Sequence, residues 1–364
     1  MRPEVILVTS KASEEKVAGI KERLEFGFGH LGKPLRLHSV PKATLPAIFM
    51  SAGLATADEN SLVKFARRAL PWVADLDYES NPYDGWEFAD LITQLSGDAW
   101  RDHVENAHAT LVGHIRRLQA DDGRAAYLFG TGPSLQLARK RAFDDGTVIA
   151  CNTIVRDPDL WNHLKPSFLV AGDAIYHFGS TPHSLAFRAD ALRRIDESEG
   201  RTLFVYPAMF DAIVRPEFKA VEQSLIPIPI GLHTDITVDL SKNFSLPKVG
   251  NVLNHLLLPV GCTVSKDLRL WGFDGRGPQD VGFWSNSDRH SYPELMQGIR
   301  DAHPAFFADF IPKGNENQYV STVHGDFLDE RLTEAEGRGF RFEMLHKSWT
   351  PTLQKRYVGS FSTG

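Results

Sequence analysis

From about residue 124 onward, short apolar runs alternate with helical runs, and few folds accommodate that alternation. The apolar runs are AAYLFG (125–130), TVIACN (147–152), SFLVAGD (167–173), TLFVYP (202–207), DLRLWGFD (267–274) and FRFEML (340–345). SLQLARKRAF, SLAFRADALRRIDESEG and DFLDERLTEAEGRG read as helices between them. Strands alternating with helices predict an α/β fold: a Rossmann-like, mostly parallel, doubly wound sheet with both faces covered. Ligands of such sheets bind outside the carboxyl ends of the strands. The residues that follow each strand are therefore the candidates for function.

Residues 1–120 read differently. EVILVTS (4–10) is a strand and EEKVAGIKERLEFGFGHLG a helix ending at Gly32, followed by a second short strand, LRLHSV (35–40). Helical patterns then cover 59–76, 86–95 and 99–120. In the last, Trp100, Val104, Ala107, Leu111 and Ile115 keep close to a 3.6-residue period. The expectation is a mainly helical N-terminal extension over 1–120, a Rossmann-like domain over 124–350 and a C-terminal tail over 351–364.

Charge and cysteine content narrow the class. The net charge is −6 with no basic tail or stripe, which argues against nucleic acid as a main partner. The two cysteines, Cys151 and Cys262, make no disulfide framework, and no Cys/His spacing suggests structural zinc. The apolar stretch at the N-terminus is too short for a signal peptide or a membrane span. A cytoplasmic protein is expected, with a homo-oligomer left open.

The strand ends carry the chemistry. After the first strand of the alternating region comes Gly130-Thr131-Gly132-Pro133-Ser134, a glycine turn opening a helix. Free N–H groups and the helix dipole favour an anion there. Leu135 stands where a dinucleotide fingerprint needs its third glycine, and no P-loop lysine follows. Asn152 ends the next strand and offers a donor and an acceptor to a base edge or ribose. Asp173 and Asp274 end two further strands, with Arg276 just beyond. FWSNSDRHSYPEL (283–295) contains His290, a general-base candidate because imidazole titrates near neutrality. His177, His324 and His346 have no comparable context. Asp157-Pro158-Asp159 looks like a D-x-D metal motif. Proline after Asp157 and before a helical run instead reads as a helix cap, and no essential metal is expected.

G-[NTA]-G-P-S-L after one strand, C-N after the next and a late strand ending G-[IF]-D resemble the compact, metal-independent bacterial CMP-sialic acid-dependent sialyltransferases. They are also similar to the glycosyltransferase domain of motility accessory factors and, more distantly, to archaeal-type pterin diphosphokinases. FGTGPSLQLA is the most specific stretch, and the likeness covers about 125–350. It implies an inverting transferase with no cofactor beyond its CMP-sugar donor, acting on a glycan or protein hydroxyl. Gly130–Ser134 would face the CMP phosphate and ribose, with Asn152 on the nucleotide and Gly250-Asn251 near the cytidine. Asp173 and Asp274 complete the nucleotide site. His290 falls near the family's catalytic histidine. The family's leaving-group tyrosines have Tyr292, Arg276 and Arg289 as their nearest substitutes. Two alternatives stand beside this reading. One is an ATP- and Mg²⁺-dependent pterin-type diphosphokinase with Asp173 and Asp274 on the metal. The other is a nucleotide-binding module without catalysis.

Overall fold

The computed structural model describes residues 4–9, 11–32, 34–42, 44, 53–57, 70, 72–119, 124–277, 288–310 and 325–359. They form an α/β protein with two all-parallel sheets. The smaller sheet holds β1 (Glu4–Val8), β2 (Arg36–Val40), β3 (Gly53–Thr56) and β4 (Val73–Asp75) in the order β2-β1-β3-β4. The larger holds β5 (Ala125–Phe129), β6 (Gly146–Cys151), β7 (Phe168–Val170), β8 (Leu203–Pro207), β9 (Leu225–Ile228), β10 (Asp267–Trp271) and β11 (Arg341–Met344). Its order is β11-β10-β5-β6-β7-β8-β9.

The large sheet is doubly wound because its strands are apolar on both sides. Along β5, Tyr127 and Phe129 enter one core with Trp161, Phe187 and Tyr206. Ala126 and Leu128 enter the opposite core with Leu111, Leu257 and Leu332. Burial on both faces removes the polar half of the strand alternation, so β5 to β9 read as largely apolar runs, while β10 and β11 at one side of the sheet keep charged residues at alternate positions. Helices α4 (Pro158–Leu164), α5 (Pro182–Asp196) and α6 (Asp211–Glu217) supply the first core. The second is supplied by α3 (Ala99–Gln119), α7 (Leu258–Val264) and α9 (Phe327–Gly337). Asp157 accepts a hydrogen bond from the Leu160 N–H at 3.0 Å, with Pro158 in the first turn of α4. The D-x-D sequence is a cap.

The N-terminal region opens with a small α/β unit built on the parallel four-stranded sheet and ends in the long helix α3. Only β1 and β2 are legible as strands in the sequence. β3 and β4 are four and three residues long and wholly buried, so they carry no period. Part of the expected 59–76 helix lies outside the described residues, and its last turn is β4. Val5, Leu7, Leu24, Phe28, Phe88 and Ile92 form the core of this unit. Its helix α1 (Glu14–His30) meets α6 of the large sheet, where His30 and Arg188 share Glu217. The helix α2 (Asp84–Ser96) lies against the carboxyl edge of the large sheet. Gly85 abuts Ala174 and Ile175, and Thr93 donates to the Met209 carbonyl at 2.6 Å.

Residues 351–358 pack rather than trail. They form α10 (Pro351–Lys355) and then Arg356, which donates to Glu336 at 2.7 Å, while the Val358 N–H reaches the Met344 carbonyl. Among the described residues, no helix is long and apolar enough to cross a membrane.

Candidate functional site

The chain leaves β5 for β6, β7, β8 and β9 on one side and returns to β10 on the other. The topological switch point, where open α/β sheets place their ligands, therefore lies between the ends of β5 and β10. GTGPS and GFD meet there. Gly130 N–H donates to the Trp271 carbonyl at 2.8 Å and Gly132 N–H to the Gly272 carbonyl at 2.9 Å, which extends the pairing beyond both strands. A side chain at Gly132 would overlap the Asp274 carboxylate. Gly272 has φ +79°, and a Cβ there would overlap the Gly130 carbonyl. These glycines are required by the approach of two backbones.

The anion position at the helix start is filled by the chain itself. Ser134 donates to Asp274 from its N–H (3.1 Å) and its hydroxyl (2.8 Å). His346, just beyond β11, completes the cluster. Its Nδ1–H donates to the Lys347 carbonyl at 2.8 Å, which leaves Nε2 to accept from the Gly272 N–H at 2.8 Å and to lie 2.8 Å from Ser134 Oγ. Burial holds its pKa below the usual histidine range, against the opposing pull of Asp274. A neutral ring is what the incoming Gly272 N–H requires, since the Ser134 hydroxyl proton goes to Asp274. The expected phosphate cradle at Ser134 thus already holds a carboxylate. Gly272→Ala should destabilise the chain by about 2–3 kcal/mol, the cost of left-handed backbone plus steric overlap. A urea midpoint equal to wild type would contradict this account of the turn.

The next two strand ends are open to chemistry. Asn152 follows β6 with φ +51°, a left-handed conformation uncommon outside glycine. Its Oδ1 is buried and has no hydrogen-bond partner. Asp173 follows β7 and is partly exposed. Its Oδ1 accepts from the N–H groups of Ile175 (2.8 Å) and Tyr176 (2.9 Å). Burial pushes its carboxyl up to about 6, although those two N–H groups pull the other way. Asn251, at φ +59°, accepts from the Asn254 N–H at 2.9 Å and opens the helical run leading to α7, with Gly250 exposed beside it. In that run His255 packs against Gly172. Its Nδ1–H donates to the Pro247 carbonyl at 2.8 Å, and burial lowers its pKa to about 4. A neutral imidazole therefore stands beside the Asp173 turn.

His290 and Tyr292 lie behind the Asn152 turn. His290 is 0% exposed, and its Nε2 is 3.1 Å from Asp157 Oδ2. Thr153 donates to its carbonyl, while its buried Nδ1 has no partner. Burial lowers its pKa against the pull of Asp157. A role as base requires this turn to open. Tyr292 is buried and donates to Asp190 at 2.7 Å. Arg276 lies half-buried beyond β10, and His324 falls outside the described residues, as do residues 283–287. The structure thus joins Gly130–Ser134 to Asp274 and sets Asn152 and Asp173 on adjacent strands, while His290 and Tyr292 are tied into helix packing.

Asp173 and Asp274 end strands three positions apart, about 14 Å at the usual strand spacing. One ion cannot bridge that gap. Among the described residues, no group of three His, Cys, Asp or Glu could hold a metal. His255 and the role of His346 were not legible in the sequence. The available signals were their positions, one at a helix start after Asn251 and the other just past a strand end. No family model, curated protein or solved structure matches this chain.

Proposed function

We propose that this chain is an inverting glycosyltransferase that takes a sialic acid-like sugar from a CMP-activated donor and places it on a glycan or protein hydroxyl. The observation that carries the reading is Asn152: a strained residue with a buried, unpartnered amide oxygen, one strand from the switch point. Strain and unsatisfied polar atoms concentrate where a ligand completes the structure. Cytosine offers an exocyclic amine donor of the kind this oxygen lacks. In this reading the GTGPS turn is the floor beneath the nucleotide, and the phosphate lies toward the helix start at Asn251.

Asp173 is the base we assign, because a carboxylate with a pKa near 6 accepts a proton at neutral pH and His290 is closed off. It takes the proton of the acceptor hydroxyl as that oxygen attacks the anomeric carbon. The bond from that carbon to the phosphate oxygen breaks, and its electron pair leaves with CMP.

Thermal melting with nucleotides tests the proposal. CMP should raise the melting midpoint without added metal, UMP should raise it less, and Asn152→Ala should abolish the CMP effect, its own unliganded midpoint falling by a few degrees because alanine tolerates left-handed backbone less well than asparagine. Stabilisation by ATP only in the presence of Mg²⁺ would replace this reading with the diphosphokinase one. Equal stabilisation by CMP and UMP would remove Asn152 from base recognition.

A further inference from the structure

Trp349 is 64% exposed, at the end of the sheet where the switch point lies. Scattered exposed apolar side chains are ordinary, but the backbone beneath this one is unusually fixed. The Trp349 N–H donates to the Asp274 carbonyl at 2.7 Å. On one side, the Ser348 hydroxyl donates to the Phe273 carbonyl at 2.6 Å and the Ser348 N–H to Gln354 Oε1 at 3.0 Å. On the other, the Thr350 N–H donates to Ser348 Oγ at 3.1 Å. His346, three residues earlier, is pinned to Gly272 and Ser134. A large indole is thus left in solvent on a segment clamped to the end of β10. A rigid aromatic surface loses little conformational entropy when a flat ring settles on it.

Its place along the edge says which ring. The strand ends run in the order Asp274 and Trp349 (β10), GTGPS (β5), Asn152 (β6), Asp173 (β7). Trp349 and Asn152 are anchored two strand positions apart, about 10 Å. Asp173, the proposed base, lies farther on in the same direction. A nucleotide-sugar laid along this line has its reacting carbon at the Asp173 end and its base at the Trp349 end.

We propose that Trp349 is the platform on which the nucleobase of the donor stacks, over the GTGPS turn and with its amine edge toward Asn152. The inference rests on the nucleotide-sugar reading above. Calorimetric titration of CMP, UMP, AMP and GMP into wild type, Trp349→Ala, Trp349→Phe and Asn152→Ala separates the two. Loss of one base–aromatic stack should weaken CMP binding about five- to 150-fold in Trp349→Ala. Trp349→Phe should keep most of the affinity, and the unliganded melting midpoint should stay at the wild-type value. CMP affinity unchanged in Trp349→Ala, with or without a change in oligomeric state, overturns the platform while the nucleotide-sugar reading stands if Asn152→Ala still loses binding. Trp349-dependent binding of a different nucleotide keeps the platform and removes CMP as the donor. Wild-type protein that binds none of the four overturns both.

Discussion

Replacing Asp84 with alanine is expected to cost about 3–5 kcal/mol of stability at pH 7, the range for removing one partner of a buried ion pair. Asp84 opens α2 and is 0% exposed. Arg23 from α1 donates to its carboxylate and also reaches the Ala302 carbonyl. His303, on the segment between β10 and β11, donates from Nδ1 at 3.1 Å. Alanine would leave a mostly buried guanidinium without its anion where three segments meet. Burial opposes ionisation of Asp84, but His303 and Arg23 outweigh it and hold its pKa below the usual carboxylate range. Burial likewise dominates at His303 and lowers its pKa despite Asp84. Both shifts have the same sign for stability. As pH falls below about 6.5, the unfolded His303 gains a proton that the folded ring resists, and stability declines. The Asp84 contribution is present above the unfolded carboxylate pKa and is lost as pH falls through its lower folded value. Urea unfolding of wild type and Asp84→Ala at pH 7 measures the cost. A difference under about 1 kcal/mol would mean that solvent, not Asp84, balances Arg23.

How much of this was legible depends on what burial does to a sequence pattern. β5, β6, β7, β8 and β10 stood out because each carries apolar residues and ends near glycine, asparagine, aspartate or proline, and β11 because FRFEML alternates apolar and charged residues after a helical run. β9 did not, because LIPI carries a proline in a run that reads poorly as a central strand. It is the last strand of the sheet, and Pro227 there pairs with Tyr206 where one side of the ladder is free. The helix expected after GTGPS is a tight 3₁₀ run over Pro133–Lys140, a difference in hydrogen bonding that composition does not encode. The strand-end rule located Asn152 and Asp173 because it needs only chain position and topology. It could not show that Ser134 is paired with Asp274 and His346, 140 and 212 residues away. Nor could it show that His290 turns inward to Asp157, because which face a loop histidine takes is decided by partners remote in sequence.

Asp173→Asn should move activity and stability in opposite directions, which separates a working carboxylate from a structural one. Removing a general base typically costs about 10²- to 10⁴-fold in kcat, so transfer to the acceptor should fall by that much while CMP affinity changes little. Wild-type kcat/KM should rise as pH increases through about 6, where Asp173 ionises, and Asp173→Asn should lack that limb. Stability has the other sign. A carboxyl whose folded pKa is raised binds its proton more tightly in the fold than in the unfolded chain, so wild type loses stability as pH climbs from the ordinary carboxylate value through about 6. Asparagine carries no charge there and can still accept from the Ile175 and Tyr176 N–H groups through Oδ1. The variant should therefore be at least as stable as wild type at pH 7, with the difference shrinking in acid. An active variant would return the base to His290, and an inactive but destabilised one would make Asp173 a turn residue whose loss deforms the site. Only an inactive, undiminished fold that still binds CMP fits a charge kept at a stability cost because the reaction needs it.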